Sequence, residues 1–391
     1  MKPILTLSCL WFLMLLMGAS LPAQTPVSGN LTSDTTWTAA NSPYIVTGDV
    51  IVAPGVTLNI LPGVEVRFDP GTRLGVRGHL RAVGLDTAFV RFTSNGGVPA
   101  VGDWKGIVVS GRVSMRHVQG EFAEKFLNLY DGGTNTTRLH GSVFTHNDTA
   151  IVFDGSYSDS LQIWRCRIEH NRIGVLADSN TVIRYSQIRF NDWGVRGRGI
   201  AIRQTRFIEN GWGAILFKSR VIRSYFEGNT EVALEGRELR VGYNRLFANE
   251  IGILTPLTQF DLYRHNHLRA NRIGLQIQTV PADSVQGHFQ RNSICDSWFA
   301  NARILAPAGV ERDLTNNCWC DPDSASVAET IVDNNDTTSL GLIDFIPMDT
   351  TFCLPDRVYP GDANYNGVAN LFDIFPIGIK YGSTGPVRPN A

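Results

Sequence analysis

The chain has 391 residues and a formal net charge of −1, with 35 lysines and arginines against 36 aspartates and glutamates. Its 43% hydrophobic residues exclude wholesale disorder, and 38 glycines, roughly a tenth of the chain against a usual ~7%, indicate many turns rather than a helical protein. The total charge hides a partition, since residues 161–292 hold 19 basic and 11 acidic side chains (+8) and residues 293–391 hold 5 and 13 (−8).

The first 23 residues have the pattern of a secretory signal peptide. Lys2 precedes an apolar stretch at residues 10–17, and Leu21-Pro22-Ala23 supplies small residues for cleavage after Ala23. This stretch is shorter than the ~20 residues of a bilayer span, and no later stretch approaches that length. We therefore expect a secreted protein, extracellular or at the cell surface and not embedded in a membrane; the alternative is an uncleaved anchor.

Proline-glycine pairs then mark turns every eight residues, at Pro54-Gly55, Pro62-Gly63 and Pro70-Gly71. Apolar residues alternate between these turns, as expected for half-buried strands. The predicted inward positions are Val56, Leu58, Ile60, Val64, Val66 and Phe68.

A repeat of 19 to 24 residues dominates the middle of the chain. Its marker is an asparagine that recurs seven times: Asn147, Asn171, Asn191, Asn210, Asn229, Asn249 and Asn271. Three residues earlier stands an apolar residue: Phe144, Ile168, Ile188, Phe207, Phe226, Leu246 or Leu268. Four residues later stands another, usually preceded by glycine: Ile151, Val175, Val195, Ala214, Ala233, Ile253 or Leu275. Five residues before the asparagine is a small or polar column: Ser142, Cys166, Ser186, Thr205, Ser224, Asn244 and Asn266.

Such register across seven units predicts a solenoid of stacked coils. The units lack the amphipathic stripe of 10 or more residues that a helical repeat shows, so we predict strands. Inward apolar columns would then bury against neighbouring coils about 4.8 Å away, and the aligned asparagines would hydrogen-bond along the stack. Cys166 is interpreted as an inert member of the polar column.

Four cysteines cluster near the end of the repeat: Cys295, Cys318, Cys320 and Cys353. In an oxidising compartment they predict two disulfides. Cys318 and Cys320 stand one residue apart, so each is expected to pair with Cys295 or Cys353 rather than with the other. A four-thiolate zinc site is the alternative, although the two-residue knuckle spacing is missing.

Residues 362–373 have the spacing of a calcium loop. Oxygen ligands fall at positions 1, 3, 5, 7, 9 and 12 of twelve, with Gly367 at the sharp turn. The predicted Ca²⁺ ligands are Asp362, Asn364, Asn366, the Val368 carbonyl, Asn370 and Asp373. An asparagine-rich loop without metal is the alternative.

Two parts of the sequence resemble known families. Residues 42–95, the later Gly102-Asp103-Trp104-Lys105-Gly106-Ile107 and the stretch from Thr315 to Pro347 are similar to secreted right-handed parallel β-helix proteins of the pectin-lyase-like fold. The resemblance implies an all-β, right-handed parallel β-helix solenoid over residues 36–352, whose cysteines suggest a stapled cap. A small carboxy-terminal calcium-loop segment at residues 356–391 resembles a dockerin repeat, which implies a protein partner. A dockerin has two such repeats, so we expect a single-repeat or truncated segment.

Fold alone does not assign function, because the pectin-lyase-like fold hosts lyases, hydrolases and esterases. The chain shows no column of repeated aspartates and lacks the motif set of pectin hydrolases, so catalytic residues are unknown and we lean against an enzyme. Trp193 and Trp212 share a column and could stack sugars or simply pack. His146 and His170 share another column of the repeat. An approximate arginine ladder would suit an acidic polysaccharide or be a solvated face interleaved with Glu169, Glu209 and Glu227. Its members are Arg165, Arg184, Arg203, Arg223 and Arg264.

The leading hypothesis is therefore a non-catalytic carbohydrate-binding or adhesion protein. The alternatives are a polysaccharide lyase or glycoside hydrolase, and a structural spacer. A nucleic-acid partner is not expected, because the chain has no recognised nucleic-acid motif.

Overall fold

A computed structural model describes residues 24–130, 136–155, 159–178, 180–278 and 286–350. In these residues the chain is an all-β parallel solenoid, a β-helix, as the repeat predicts. The predicted signal peptide, Cys353 and the calcium loop at residues 362–373 lie outside the described residues.

Most coils contribute three strands, and equivalent strands of successive coils pair in parallel to form three faces. The strands of face 1 are Thr35–Trp37, Thr57–Ile60, His79–Val83, Arg112–Arg116, Thr136–His140, Ser160–Trp164, Thr181–Arg184, Ile200–Arg203, Arg220–Ile222, Arg240–Gly242, Leu262–Arg264 and His288–Gln290. Those of face 2 are Glu65–Phe68, Val90–Ser94, Val118–Glu121, Val143–Thr145, Arg167–Glu169, Gln187–Arg189, Arg206–Ile208, Tyr225–Glu227, Arg245–Phe247, His267–Arg269 and Ser293–Cys295.

Face 3 contains Thr25–Leu31, Tyr44–Val52, Arg73–Val76, Trp104–Val109, Ala123–Tyr130, Thr149–Asp154, Ile173–Ala177, Trp193–Arg198, Trp212–Phe217, Val232–Arg237, Ile251–Thr255, Ile273–Ile277, Ala300–Ile304 and Ile331–Val332. The first part of Tyr44–Val52 also pairs with face 2. Glu311–Asp313 and Leu342–Asp344 form a separate pair. The helices are a 3-10 turn at Ala39–Asn41 and a short α-helix at Ser324–Ala328.

Two of the three corners are sharp. At the first corner, between faces 1 and 2, and at the second, between faces 2 and 3, a residue in the left-handed region turns the chain. In the second corner these include His146, His170 and Phe190, each with φ of 55°. A residue with a side chain is strained in this backbone conformation. Hydrogen bonds from the neighbouring polar residue therefore have to stabilise the corner.

The ladder asparagines hold the second corner, which confirms the predicted stack. The Asn191 Oδ1 accepts hydrogen bonds from both the backbone N and the Nδ2 of Asn171, each at 3.0 Å. Its Nδ2 donates at 3.0 Å to the carbonyls of Ile168 and Arg189 and to the Oδ1 of Asn210. The same side-chain chain runs from Asn147 to Asn271, and all its members are buried.

The polar column holds the first corner. Its later members form a second amide ladder in which Asn244, Asn266, Asn292 and Asn317 are joined by Nδ2-to-Oδ1 bonds of 2.9 to 3.1 Å. Cys166 is a buried free thiol in this column, as predicted, and burial raises its pKa to about 12. The neutral thiol is therefore unreactive.

The predicted inward residues form one continuous core from Trp37 to Ile343. One assignment is wrong. Ala214 is in register with Leu234 rather than Ala233, because the coil after Asn229 carries one extra residue before its strand. The glycine column has a steric reason, since a Cβ on Gly194 would lie 2.4 Å from the carbonyl oxygen of the next coil.

A cap closes the carboxy-terminal end of the described solenoid. Cys295 is bonded to Cys320, one of the predicted pairings. Cys318 is also disulfide-bonded, and the remaining candidate, Cys353, lies outside the described residues. Trp319 between these cysteines is buried in the core.

Candidate ligand-binding face

The predicted arginines lie along one edge of face 1. Arg184 and Arg203 end neighbouring strands and are direct Cα partners, whereas Arg264 lies three coils beyond Arg203. Arg165 and Arg223 occupy the first corner, each with positive φ. The five residues therefore share an edge. Arg184 and Arg203 are in direct register, and the Arg165 backbone N–H donates to the Arg184 carbonyl at 3.1 Å.

Face 1 carries more arginines than the predicted ladder contains. Its twelve strands, all within the described residues, contain no aspartate or glutamate. They contain nine arginines: Arg81, Arg112, Arg116, Arg138, Arg184, Arg203, Arg220, Arg240 and Arg264. Three of the face-1 arginines outside the predicted ladder share an offset in the repeat, because Arg138, Arg220 and Arg240 each stand nine residues before a ladder asparagine.

On the other faces, several arginines are paired with carboxylates. On face 2, Glu169 binds Arg167 at 2.8 Å and Arg189 at 2.6 Å. Immediately before two face-3 strands, Arg172 binds Asp148 at 2.5 and 2.9 Å. In the described part of the chain, eight face-1 arginines have no carboxylate oxygen within 4.0 Å: Arg81, Arg116, Arg138, Arg184, Arg203, Arg220, Arg240 and Arg264.

The acids expected to interleave with the arginines lie elsewhere. Glu169 and Glu227 belong to face 2, where Glu227 lies 3.8 Å from Arg206, and Glu209 is at the second corner. The positive field on face 1 also acts on its histidines. Burial and then Arg112 and Arg81 lower the pKa of His79. Burial likewise lowers the pKa of His140, followed by the charges of Arg116, His117 and Arg165.

Exposed aromatic rings border face 1 at and beside the first corner. Trp164 and Tyr185 are stacked with ring centroids 5.9 Å apart and are 43% and 44% exposed. Tyr243 and His265 stack further along, at 4.8 Å. These rings place apolar surface close to the edge that carries the guanidinium groups.

The predicted tryptophan pair is on a different face. Trp193 and Trp212 are Cα partners on face 3, and both are half-buried. The guanidinium of Arg196 lies over the Trp193 ring, 5.0 Å from its centroid. The structure thus separates the two tryptophans from the arginine edge.

His146 and His170 do lie together. Their rings stack at 5.3 Å on the second corner, between Phe122 and Phe190. No cluster of three or more metal-binding side chains occurs among the residues that the structure describes. The same residues include no helix long and apolar enough to cross a membrane.

A family-model match agrees with the architecture. A family model described as a pectate-lyase-like β-helix domain matches residues 29–144. Among solved structures, the periplasmic alginate epimerase AlgG is similar, with 12% identity, a TM-score of 0.49 and coverage of 78% of this chain and 77% of that one. A mutant of that epimerase gives 12% identity, a TM-score of 0.27 and coverage of 83% and 77%. No curated protein sequence matches. The functional argument therefore rests on the chain's own side chains.

Proposed function

We propose that the protein is exported and binds an acidic polysaccharide along face 1 without chemically changing it. The supporting observation is the row of nine arginines on strands that carry no carboxylate. Equivalent positions on neighbouring coils are only about 4.8 Å apart, so like charges there repel. A bound polyanion supplies counter-charge to the eight of these arginines that have no carboxylate oxygen within 4.0 Å among the described residues.

The distribution of the arginines favours a polymer that lies along the solenoid axis. Of the nine consecutive strands from His79–Val83 to Leu262–Arg264, eight contain an arginine. The exception, Ser160–Trp164, contributes Gln162 and the exposed Trp164. An extended chain with one carboxylate per sugar, a polyuronate, meets about one guanidinium per coil in this direction.

Binding fits face 1 better than hydrolysis. A glycosidase needs two carboxyl groups about 5 to 9.5 Å apart across the scissile bond. The twelve described strands of face 1 supply none. A lyase or hydrolase is the second candidate, and formation of unsaturated or reducing ends from the bound polymer would establish it.

The carboxy-terminal segment adds a second proposal, supported by its ligand spacing alone. Residues Asp362, Asn364, Asn366, Val368, Asn370 and Asp373 bind one Ca²⁺. The dockerin-like segment then attaches the solenoid to a protein partner.

Titration calorimetry with a polyuronate at two salt concentrations tests binding to face 1. We expect Arg184→Gln/Arg203→Gln to weaken binding and to reduce its salt dependence. The matched control is Arg189→Gln/Arg206→Gln, which changes the same charge in the same coils but on face 2. Equal losses in the two double variants, or binding that ignores salt, would overturn the proposal. Absence of binding would leave the structural spacer.

A further inference from the structure

A cavity of about 400 Å³ lies at the third corner, where face 3 of one coil leads into face 1 of the next. Lys218, Arg220, Glu238, Arg240 and Phe260 supply its charged and aromatic lining. Its volume is at the small end of the ~300 to 1,000 Å³ of typical ligand sites. It therefore suits a ligand of one or two sugar rings rather than a polymer.

The cavity has an excess of positive charge. Arg220 and Arg240 are direct Cα partners on neighbouring strands, and neither has a carboxylate within 4.0 Å among the described residues. Glu238 is the acid in the lining, and it already lies 3.5 Å from the Lys218 ammonium. Two adjacent guanidinium groups are thus left to share an anion.

Further cations stand at the ends of the face-3 strands that lead into the cavity lining. The ring of Phe217 has three cationic groups within 5.1 Å of its centroid, from Arg198, Lys218 and Arg237. The lysine belongs to both this cluster and the cavity. An anionic ligand is therefore attracted before it makes contact.

Phe260 is exposed, but the turn that carries it is anchored by its neighbour. Phe260 is 61% exposed, whereas the next residue, Asp261, is buried. The Asp261 carboxylate accepts hydrogen bonds from the backbone N of Leu239 at 2.7 Å, and from the backbone N and hydroxyl of Thr258 at 2.7 and 2.9 Å. An exposed aromatic ring on an anchored turn beside a basic cavity offers a platform for an apolar ring face.

We propose that this cavity binds a single acidic sugar, the end or a charged branch of the polymer on face 1. Its carboxylate lies between Arg220 and Arg240, its C–H face lies on Phe260, and its hydroxyls bond to Glu238 and Lys218. Arg220 and Arg240 belong to face 1 as well, so the cavity continues the polymer site. The inference rests on the proposed function, which it deepens by adding an end-recognition site.

Calorimetry with a diuronide tests the cavity, with cellobiose as the neutral comparison and inorganic phosphate as the simple anion. We expect the diuronide to bind and cellobiose not to bind. Phe260→Ala should weaken diuronide binding at least about tenfold. Trp298→Ala is the matched control, because this tryptophan is 71% exposed and outside the cavity lining. Unchanged melting temperatures show that both variants fold.

The outcomes separate the two proposals. If polymer binding depends on Arg184 and Arg203 but the diuronide does not bind, the cavity proposal is overturned and the proposed function stands. If the diuronide binds and needs Phe260, but polymer binding does not depend on Arg184 and Arg203, the cavity proposal stands and the proposed function of face 1 is overturned. Phosphate binding as tight as that of the diuronide, with no effect of Phe260→Ala, shows a simple anion site and overturns end recognition.

Discussion

The two corner columns show why single side chains decide how coils are joined. Ser142 accepts a hydrogen bond from Val118 N of the preceding coil and donates to the carbonyl of His140 in its own coil. An asparagine has both an acceptor and two donors, so it bonds the coils on both sides. In the earlier coils of this column, serine makes only local corner bonds. In the later coils, Asn244 and Asn266 occupy the same position and form a continuous row of side-chain hydrogen bonds.

Removing one ladder asparagine should be costly. The Asn210 Oδ1 accepts two hydrogen bonds from Asn191, and its Nδ2 donates to the Ile188 carbonyl and to Asn229. Asn210→Ala leaves these buried groups without partners, and we expect a loss of about 3 kcal/mol in the free energy of unfolding. Urea denaturation measures it, with exposed Asn335→Ala as the control. A loss below about 1 kcal/mol would show that water or rearrangement replaces the amide.

His267 should make stability depend on pH. Burial, followed by the charges of Arg245 and Arg269, lowers its pKa from 6.5 to about 4, against a smaller opposite effect of Asp296. As pH falls from about 6.5 to about 4, the unfolded chain takes up a proton that the folded chain does not, so folding is progressively disfavoured. Near pH 4.5 this amounts to about 2.5 kcal/mol.

The His267→Gln variant isolates that contribution. The difference in unfolding free energy between wild type and variant should change by that amount between about pH 7.5 and pH 4.5. Both proteins share every other titrating group, so this difference cancels their contributions. Parallel pH profiles would contradict the assignment.

At the scale of elements, the last coil needs a cover because a solenoid end exposes both core and unpaired strand edges. The short helix Ser324–Ala328 buries Val327, and Ile331–Val332 extends face 3 by pairing with Ala300–Ile304. The Cys295–Cys320 disulfide joins the last face-2 strand to the segment that begins this cover.

The disulfide should stabilise the cap by restricting the unfolded chain. A sequence separation of 25 residues corresponds to about 3.5 kcal/mol in the chain-entropy description. We expect Cys295→Ala/Cys320→Ala to lose roughly this much in denaturant unfolding under oxidising conditions. Cys166→Ala is the control for removing a buried thiol without a crosslink. If Cys166→Ala lowers the free energy of unfolding by a similar amount, the loss in the double variant comes from side-chain packing and not from the crosslink.

The coils were predictable because one asparagine per coil fixed the offsets of the inward residues Phe207 and Phe226 and of their column mates. The basic face is only partly predictable, because the predicted arginines stand six or seven residues before a ladder asparagine, whereas Arg138, Arg220 and Arg240 stand nine residues before one. Arg81 and Arg116 precede the first ladder asparagine, so no offset located them. Phe260 lies in a connection between faces 3 and 1, where loop length varies and no column exists.

Across the described solenoid, acidic residues are distributed unevenly among the three faces. Faces 2 and 3 contain acids that pair with arginines, such as Glu121 with Arg91 and Asp49 with Arg73. Face 1 keeps its arginines apart from carboxylates along most of the described solenoid. A stack of parallel strands therefore presents about one arginine per coil along the axis, which favours an extended polymer as the partner.

Calcium binding by the carboxy-terminal loop is expected to raise the stability of the chain. Ca²⁺ that binds only the folded loop stabilises it by mass action. We expect Asp362→Ala to remove the Ca²⁺-dependent rise in melting temperature, because position 1 supplies one of two charged ligands. Asp356→Ala, outside the twelve-residue loop, is the control. An unchanged response in Asp362→Ala would move the metal elsewhere.

The length of the bound polymer tests the geometry of face 1 as a whole. From Arg81 to Arg264 there are eight coil steps, roughly 38 Å at about 4.8 Å each. A polyuronate along the axis gains contacts with each added sugar until it spans this distance. Across the strands, by contrast, a face-1 strand of four residues is only about 13 Å long.

We therefore expect affinity for size-fractionated oligouronates to rise steadily and to flatten only when the oligomer spans most of the arginine row. The salt dependence of binding should grow over the same range, because each further ion pair is screened by salt. Calorimetry at two ionic strengths measures both, with uncharged oligosaccharides of equal length as controls. An affinity that levels off at three or four sugars would place the polymer across the strands, and an equal affinity for the uncharged series would remove the arginines from recognition.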